Sequence, residues 1–286
     1  MNRYIRELNR RYHIHKILLG AASAPLLFGG ITIDAMATAP CDGFGECKAL
    51  IEINSTDGDI GFHFLMDGDD LNSARIHDPN GTKVFEDEAK GPLREQKLTE
   101  TFAESAEPPC WDDGEVDEDE IVTLEDFLER WAEGTYVFTG SGDGGEKSEG
   151  VTVLTYELPA APTTLAFNGG TGVISWAAGD DLGNCASNVE LDALVADGVL
   201  PVHPEDLDVA IWEVVFEPDD GSGLKVTIRL PGNVVPTSVT VPADYLAALD
   251  DDTPAKIEVG AITADDNATF TELEGICVNE DLGCDD

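Results

Sequence analysis

Short runs in which every second residue is apolar follow one another through the second half of the chain. Ile174 and Trp176 share one face of such a run, and Trp212, Val214 and Phe216 share a face of the next. A period of two is typical of β-strands that bury one side. Seven short strands of this kind, with turns between them and almost no helix, predict a β-sandwich.

The first half of the chain repeats the pattern around one helix. Residues 60–66, 74–77 and 83–86 are short apolar or alternating runs, and the turn sequence at 78–81, Asp-Pro-Asn-Gly, is a strong hairpin signal. Residues 123–131 instead predict a helix, with a threonine cap, acidic residues in the first turn and one apolar stripe. We therefore expect an all-β protein of two β-sandwich domains in tandem, the N-terminal one with a single packed α-helix.

Residues 1–37 are typical of an export signal. A basic leader precedes the apolar run Ile17 to Ile33, and Ala35-Met36-Ala37 is a small-x-small cleavage site. A retained membrane anchor is the alternative, but the run is broken by Gly and Pro and is shorter than the roughly 20 residues that a spanning helix needs. General secretion is favoured over twin-arginine export, because the residues after Arg10-Arg11 match the latter pattern poorly.

Two prolines, Pro159 and Pro162, end an apolar alternating run and mark a domain boundary. We divide the chain there into an N-terminal sandwich-like domain, residues 38–158, and a second domain, residues 159–280. Residues 281–286 form an acidic tail.

The net charge of the chain limits the classes of partner that it can bind. It has 58 Asp and Glu against 16 Lys and Arg, a net charge of −42, and five of the basic residues lie in the leader. Nucleic acid and anionic membrane surfaces repel such a protein, since binding either needs clustered Lys and Arg. The acidity indicates a soluble exported surface, with cation binding as the alternative.

Six cysteines remain after removal of the leader: Cys41, Cys47, Cys110, Cys185, Cys277 and Cys284. An even number in an exported chain favours disulfides, although six cysteines allow 15 connectivities. Short polar segments containing Gly separate the first two and the last two, which favours local pairs near the mature termini. Cys110 and Cys185 are then left to tie the halves together. A zinc site is disfavoured, because the chain has no C-x-x-C spacing and few histidines.

The second domain resembles fibronectin type III over roughly residues 160–276. The resemblance begins with Pro159-x-x-Pro162 and with Trp176, which ends the second strand. Trp212-Glu-Val-Val-Phe216 stands where the family has Tyr-x-Val-x-Tyr. The final block is residues 249–262, LDDDTPAKIEVGAI, followed by Asn267-Ala-Thr-Phe-Thr. It implies a sandwich scaffold and no function, because such sandwiches host many unrelated functions.

Two departures from the family pattern matter. Ala255 stands where the family has its corner tyrosine, so the hydrogen-bonded corner must be missing or replaced. The loop between Trp176 and Trp212 is also far longer than usual and carries Cys185 and a possible helical turn at Val189 to Ala196. Because long loops at one end of a sandwich tend to bind ligands, we expect function there.

Acidic turns are weak candidates for calcium, and these are Asp57, Asp59, Asp67, Asp69, Asp117 and Asp119. The spacing from Glu115 to Asp126 approaches that of a calcium loop, but Glu120 stands where the loop needs Gly. Asp and Gly in turns have a simpler cause, which is their tolerance of unusual backbone angles. His63, between Phe62 and Phe64, is expected on the opposite face of its strand and lies in no metal-binding spacing.

Enzyme motifs are poorly represented. Residues 140–145 match the dinucleotide fingerprint, but a strand follows them where that motif needs a helix, so they predict a hairpin loop. The chain has no G-x-S-x-G elbow and no cysteine in a recognisable nucleophile context. We therefore expect no catalytic residues and no cofactor.

The sequence favours an exported, bacterial, non-enzymatic binding or structural module in the periplasm, at the cell surface or outside the cell. Its partner is an unknown protein or carbohydrate, and no part of the mature chain inserts into a membrane. The alternatives are a calcium-dependent extracellular module and a hydrolase with an unrecognised acidic site.

Overall fold

The structure is a computed structural model that describes residues 41, 43–111, 117, 120–250 and 252–278. The predicted signal, residues 1–37, and the acidic tail, residues 281–286, lie outside the described residues. No described helix is long and apolar enough to cross a membrane.

Seven strands and two α-helices form the described residues of the N-terminal part. The strands are β1 (Glu46–Asn54), β2 (Asp59–Leu71), β3 (Ser73–His77), β4 (Lys83–Glu88), β5 (Leu98–Glu104), β6 (Gly134–Ser141) and β7 (Lys147–Leu154), and the helices are α1 (Gly91–Gln96) and α2 (Leu124–Arg130). The sheet β4-β3-β6-β7 packs against β1, β2 and β5. Phe62 of β2 and Tyr136 of β6, both fully buried, meet across this core with ring centroids 5.6 Å apart.

The predicted helix is present as α2. The Thr123 hydroxyl accepts a hydrogen bond from the backbone N–H of Asp126 at 3.2 Å, which satisfies a donor of the first turn. Phe127 and Leu128 are buried, and Trp131 at the end of the helix stacks on Phe62 with 3.9 Å between ring centroids. α1 was not predicted, and it contributes no buried residue to the core.

The second part, as far as the structure describes it, has seven strands, as the alternation predicted. They are β8 (Thr163–Asn168), β9 (Val173–Ala177), β10 (Ile211–Pro218), β11 (Val226–Pro231), β12 (Ser238–Thr240), β13 (Pro254–Ile262) and β14 (Ala268–Cys277), and the helices α3 (Asn188–Ala196) and α4 (Ala243–Leu246) lie between them. The sheet β12-β9-β8 faces the four strands β11-β10-β13-β14, which gives a fibronectin type III-like sandwich. Trp176 and Trp212 meet in its core at 5.7 Å. The all-β class is thus confirmed.

The corner at which β13 begins is closed without the family's tyrosine. Ala255 is buried there, and the Thr253 hydroxyl donates a hydrogen bond to the carbonyl of Asp250 at 2.6 Å. The backbone N–H of Val278 also donates to the carbonyl of Thr253 at 3.0 Å. The hydrogen-bonded corner is therefore replaced by a threonine.

One sheet runs through both parts of the molecule. β1 pairs in parallel with β14, with Glu52 beside Ala268 and Asn54 beside Phe270, so the strand order is β11-β10-β13-β14-β1-β2-β5. The strands on either side of the predicted boundary at Pro159 are thereby joined within the compact unit of residues 37–286. The division of the chain into two domains at Pro159 stays a prediction.

A buried asparagine fixes this junction. Asn267 is fully buried, and its Oδ1 accepts a hydrogen bond from the backbone N–H of Ile51 at 2.9 Å. Its Nδ2 donates to the carbonyls of Thr155 at 2.9 Å and Glu157 at 3.2 Å. A single side chain therefore holds β1, β14 and the linker before Pro159 together.

The described residues of the unit form two hydrophobic cores. The first is built mainly from residues up to Leu158, and the second from the strands that follow. The long loop after Trp176 does not belong to the second core, because its Leu182, Leu191 and Leu200 are buried in the first.

Disulfides join Cys41 to Cys47 and Cys110 to Cys185, with Cα atoms 5.6 and 5.0 Å apart. Both pairings were favoured by the sequence, and the second ties the long loop to the N-terminal part. The favoured pairing of Cys277 with Cys284 involves a residue outside the described ones and stays a prediction.

Candidate functional site

The seven-stranded sheet has one face turned away from both cores, which we call the open face. Register places on it every second residue of each strand, for example Glu258 beside Glu272, and His63 beside Glu104. The open face includes Glu52, His63, Phe102, Glu104, Glu213, Glu258, Phe270 and Glu272. Carboxylates thus meet from neighbouring strands across the sheet.

His63 is the unusual member of this face. Phe62 and Phe64 point from β2 into the first core, so the side chain of His63 points the other way, as the alternation predicted. It is nevertheless buried, with only 8% of its surface exposed. Its Nε2 atom is shielded from solvent and has no hydrogen-bond partner, and the nearest acidic atom is Oε1 of Glu107 at 3.5 Å.

Glu107 reaches His63 from the segment after β5. That segment runs back along β2: the backbone N–H of Ser105 donates to the carbonyl of Phe62 at 2.9 Å, and the N–H of Cys110 donates to the carbonyl of Gly58 at 2.7 Å. Gly61 leaves the room for it, because a Cβ there would lie 2.9 Å from Cγ of Glu107 and 3.0 Å from Nε2 of His63. The segment and the glycine together hold Glu107 over the sheet.

Glu52 completes the group from near the C-terminal end of β1, beside Gly61. Burial, and then the nearby carboxylates of Glu107 and Glu104, raise the pKa of Glu52 to about 7. Ligand atoms of Glu52, His63 and Glu107 lie within 4.8 Å of one another. Three groups able to hold a metal ion therefore converge on the open face; we call them the Glu52 cluster.

Two of the six predicted calcium candidates lie near this cluster. Burial, followed by the charges of Glu107 and Asp57, raises the pKa of Asp59 to about 6. Asp57 lies in the turn between β1 and β2, where its carboxylate accepts a hydrogen bond from Asn54 and its carbonyl accepts one from Trp111.

The other four candidates are spread apart. Asp67 and Asp69 lie towards the far end of β2, and Asp117 is exposed. Asp119 is outside the described residues. Over the part of the chain that the structure describes, none of these aspartates joins a group of three convergent metal-ligating side chains. A calcium role for them stays a prediction.

The long loop that the sequence singled out borders a cavity of about 320 Å³ between α2 and α3, beside the disulfide of Cys110 and Cys185. Leu124 and Leu194 supply apolar walls, and Glu190 lies at its rim. Hydrogen bonds from the backbone and hydroxyl of Ser187 lower the pKa of Glu190, which forms a capping box for α3. This carboxylate is therefore used to stabilise the helix.

The dinucleotide-like glycines lie in a hairpin, as predicted. β6 ends at Ser141, a short 3-10 turn covers Asp143–Gly145, and β7 begins at Lys147 and pairs back onto β6. Asp143 accepts hydrogen bonds from Lys97 and Asn72, so its role is to hold this loop.

Sequence reasoning missed the Glu52 cluster. Its members come from β1, β2 and the segment after β5, so no local spacing connects them. Glu52 and Glu107 are also two among 58 acidic residues. The one available signal was a histidine between two core phenylalanines and close to Gly61, which alone did not indicate a site.

Known proteins give little further guidance. No family model matches this chain. No curated protein matches it either. Among solved structures it is similar to the chicken CNTN1 FN1-FN3 domains, with 8% identity, a TM-score of 0.30, and coverage of 85% of this chain and 69% of that one.

Two further solved structures are also similar. A 1.5-MDa bacterial ice-binding adhesin, described for host cell surface retention, gives 11% identity and a TM-score of 0.22, with coverage of 82% of this chain and 63% of that one. The BSP domain of a biofilm associated protein gives 10% identity and a TM-score of 0.23, with coverage of 83% and 30%. With TM-scores below 0.5, these likenesses carry no argument about function.

Proposed function

We propose that this protein is an exported, non-enzymatic binding or structural module that works in the periplasm, at the cell surface or outside the cell. The observation that carries the proposal is the pairing of β1 with β14. It joins two sandwiches into one sheet of seven strands and gives the molecule a broad open face. A continuous frame with an extended face of carboxylates and aromatic side chains suits presentation or binding.

Two further features support export and binding. Disulfides such as those of Cys41 with Cys47 and Cys110 with Cys185 persist in oxidising compartments outside the cytoplasm. Phe102 lies on the open face at the edge strand β5 and is 58% exposed. An exposed aromatic ring on a sheet offers a contact for a protein or a carbohydrate ligand.

Export is tested by fractionating bacteria that express the full chain with a C-terminal tag, followed by alkylation of free thiols. We expect a shortened chain, cut near residue 37, outside the cytoplasm and without reactive thiols. A full-length chain in the cytoplasm with alkylated cysteines contradicts the proposal.

Binding is tested by incubating the labelled mature chain with cells and extracellular glycans of the producing organism and measuring the amount retained. Phe102→Ser should reduce retention, whereas the matched control Val189→Ser, at an 80% exposed position on α3, should not. Turnover of any of these polymers by the wild-type chain, lost in Glu52→Gln, would instead establish the hydrolase alternative.

A further inference from the structure

The geometry points to a site for a divalent first-row transition metal ion, for which Zn²⁺ is the best probe, formed by Glu52, His63 and Glu107 on the open face. The inference does not depend on the proposed function, because a binding module and an enzyme alike can hold such an ion.

The distance between the ligand atoms of His63 and Glu107 fits an ion shared by both better than a direct hydrogen bond. Nε2 of His63 and Oε1 of Glu107 are 3.5 Å apart, beyond the usual 2.7–3.2 Å of a hydrogen bond between nitrogen and oxygen. Two ligands at 2.0–2.1 Å from a tetrahedral ion are about 3.4 Å from each other. The third ligand, from Glu52, lies within 4.8 Å of both, so a small side-chain movement closes the site.

The buried imidazole supplies a second observation that points to a ligand. Nε2 of His63 is shielded from water and has no hydrogen-bond partner, although Oε1 of Glu107 lies 3.5 Å from it and Glu52 belongs to the same group of metal-ligating side chains. Buried polar atoms in folded proteins normally have partners, and one without a partner costs about 1–3 kcal/mol. Asn267, which is fully buried, has both ends of its amide bonded. A metal ion bound to Nε2 would give this atom of His63 the partner that it lacks.

The set of donor atoms selects the class of ion. One imidazole nitrogen with two carboxylates suits zinc and its neighbours in the first transition row. Calcium instead takes six to eight oxygen ligands, and an imidazole nitrogen is a poor substitute for one of them. Three protein ligands leave a fourth position for water, as in zinc sites that stay open to solvent.

The surroundings of the site are strongly acidic. The carboxylates of Glu104, Glu213 and Glu258 add to the potential at Glu52, and burial weakens the screening by water. A divalent cation would offset this repulsion. Gly61 keeps the space between the strands free for the side chains that hold it.

Zinc titration of the mature chain, stripped with a chelator and followed by calorimetry at fixed ionic strength, tests the site. We expect one saturable site per chain, weakened at least about tenfold in each of Glu52→Gln, His63→Gln and Glu107→Gln. Glu129→Gln, an exposed acid on α2, is the matched control and should bind as the wild type does. Melting curves of each stripped variant show that it is folded.

Two readouts decide between this site and general binding to an acidic surface. With one equivalent of Zn²⁺, the imidazole signals of His63 should shift in the NMR spectrum, while those of His77 and His203 stay in place. Ca²⁺ in tenfold excess should not displace the zinc. Equal zinc affinity in the wild type and the three variants, unshifted His63 signals, or displacement by Ca²⁺ would each overturn the inference.

Discussion

The two faces of the seven-stranded sheet come from the same strands and differ in almost every property. On the packed face, Ile51, Phe62 and Val259 are completely buried among apolar neighbours. On the open face, Glu52 and Glu272 lie half-buried, and burial raises the pKa of both. The packed face therefore stabilises the fold, whereas the open face keeps charges where they cost stability. Charged groups that a fold retains although they lower its stability are candidates for function.

A matched pair of phenylalanines tests this difference most strongly. Phe62→Ala on the packed face of β2 should lower the free energy of unfolding by about 3–5 kcal/mol, because it leaves a cavity beside Tyr136 and Trp131. Phe102→Ala on the open face of β5 should change it by less than about 0.5 kcal/mol. Urea unfolding of both variants measures the two values. Similar losses for the two would show that the open face is also packed.

Two asparagines provide the next comparison. Asn267→Ala should cost about 3 kcal/mol, because it leaves the N–H of Ile51 and the carbonyl of Thr155 buried without partners. Asn54→Ala, on the open face, removes contacts with Asp57 and Glu272 and should cost at most about 1 kcal/mol. The midpoints of urea unfolding give the ranking, and the reverse order would contradict our description of the junction.

The third prediction is a gain in stability: Glu52→Gln on the open face should raise the free energy of unfolding of the metal-free protein. The pKa of Glu52 in the folded chain is about 7, against 4.5 as the usual value. The folded state thus binds a proton more tightly than the unfolded state, so stability contributed by this group falls as pH rises from about 4.5 to 7. At pH 8 with chelator, the substitution should add on the order of 2 kcal/mol.

The control for this prediction is Glu129→Gln on α2, which should leave the pH dependence of the wild type intact. Unfolding measured from pH 4 to 8 for the three chains shows the effect as a smaller fall in stability for Glu52→Gln between pH 4.5 and 7. Destabilisation by Glu52→Gln at pH 8 would show that the carboxylate is held by favourable contacts.

The packed face was largely predictable from the sequence, and the open face was not. The alternation around Trp212 and Ile257 identified strands β10 and β13, and the cap at Thr123 identified α2, because these signals are local. The structure of the long loop was predictable in part, since the helical turn expected at Val189 to Ala196 is present as the helix α3. Its return onto the first core through Leu191 depends on tertiary contacts that no short window contains.

The junction and the Glu52 cluster depend on pairs that are distant in sequence. Ile51 and Asn267 are 216 positions apart, and nothing near either residue indicates the parallel pairing of β1 with β14. The same pairing places Glu52 near the centre of a wide sheet, where it is surrounded by acidic strands on both sides. In the sequence alone it is one carboxylate among many.

Hydrogen exchange at the amides of the junction tests the joined sheet most directly. The N–H of Ile51 donates to Oδ1 of Asn267, and the N–H of Ser55 donates to the carbonyl of Phe270 at 2.8 Å. Both amides of the mature chain should exchange as slowly in an NMR experiment as the amide of Val259 in the inner strand β13, since a joined sheet opens only with the unit that contains it. Exchange of Ile51 and Ser55 at the rate of unprotected amides, with Val259 still protected, would contradict a single sheet through both sandwiches.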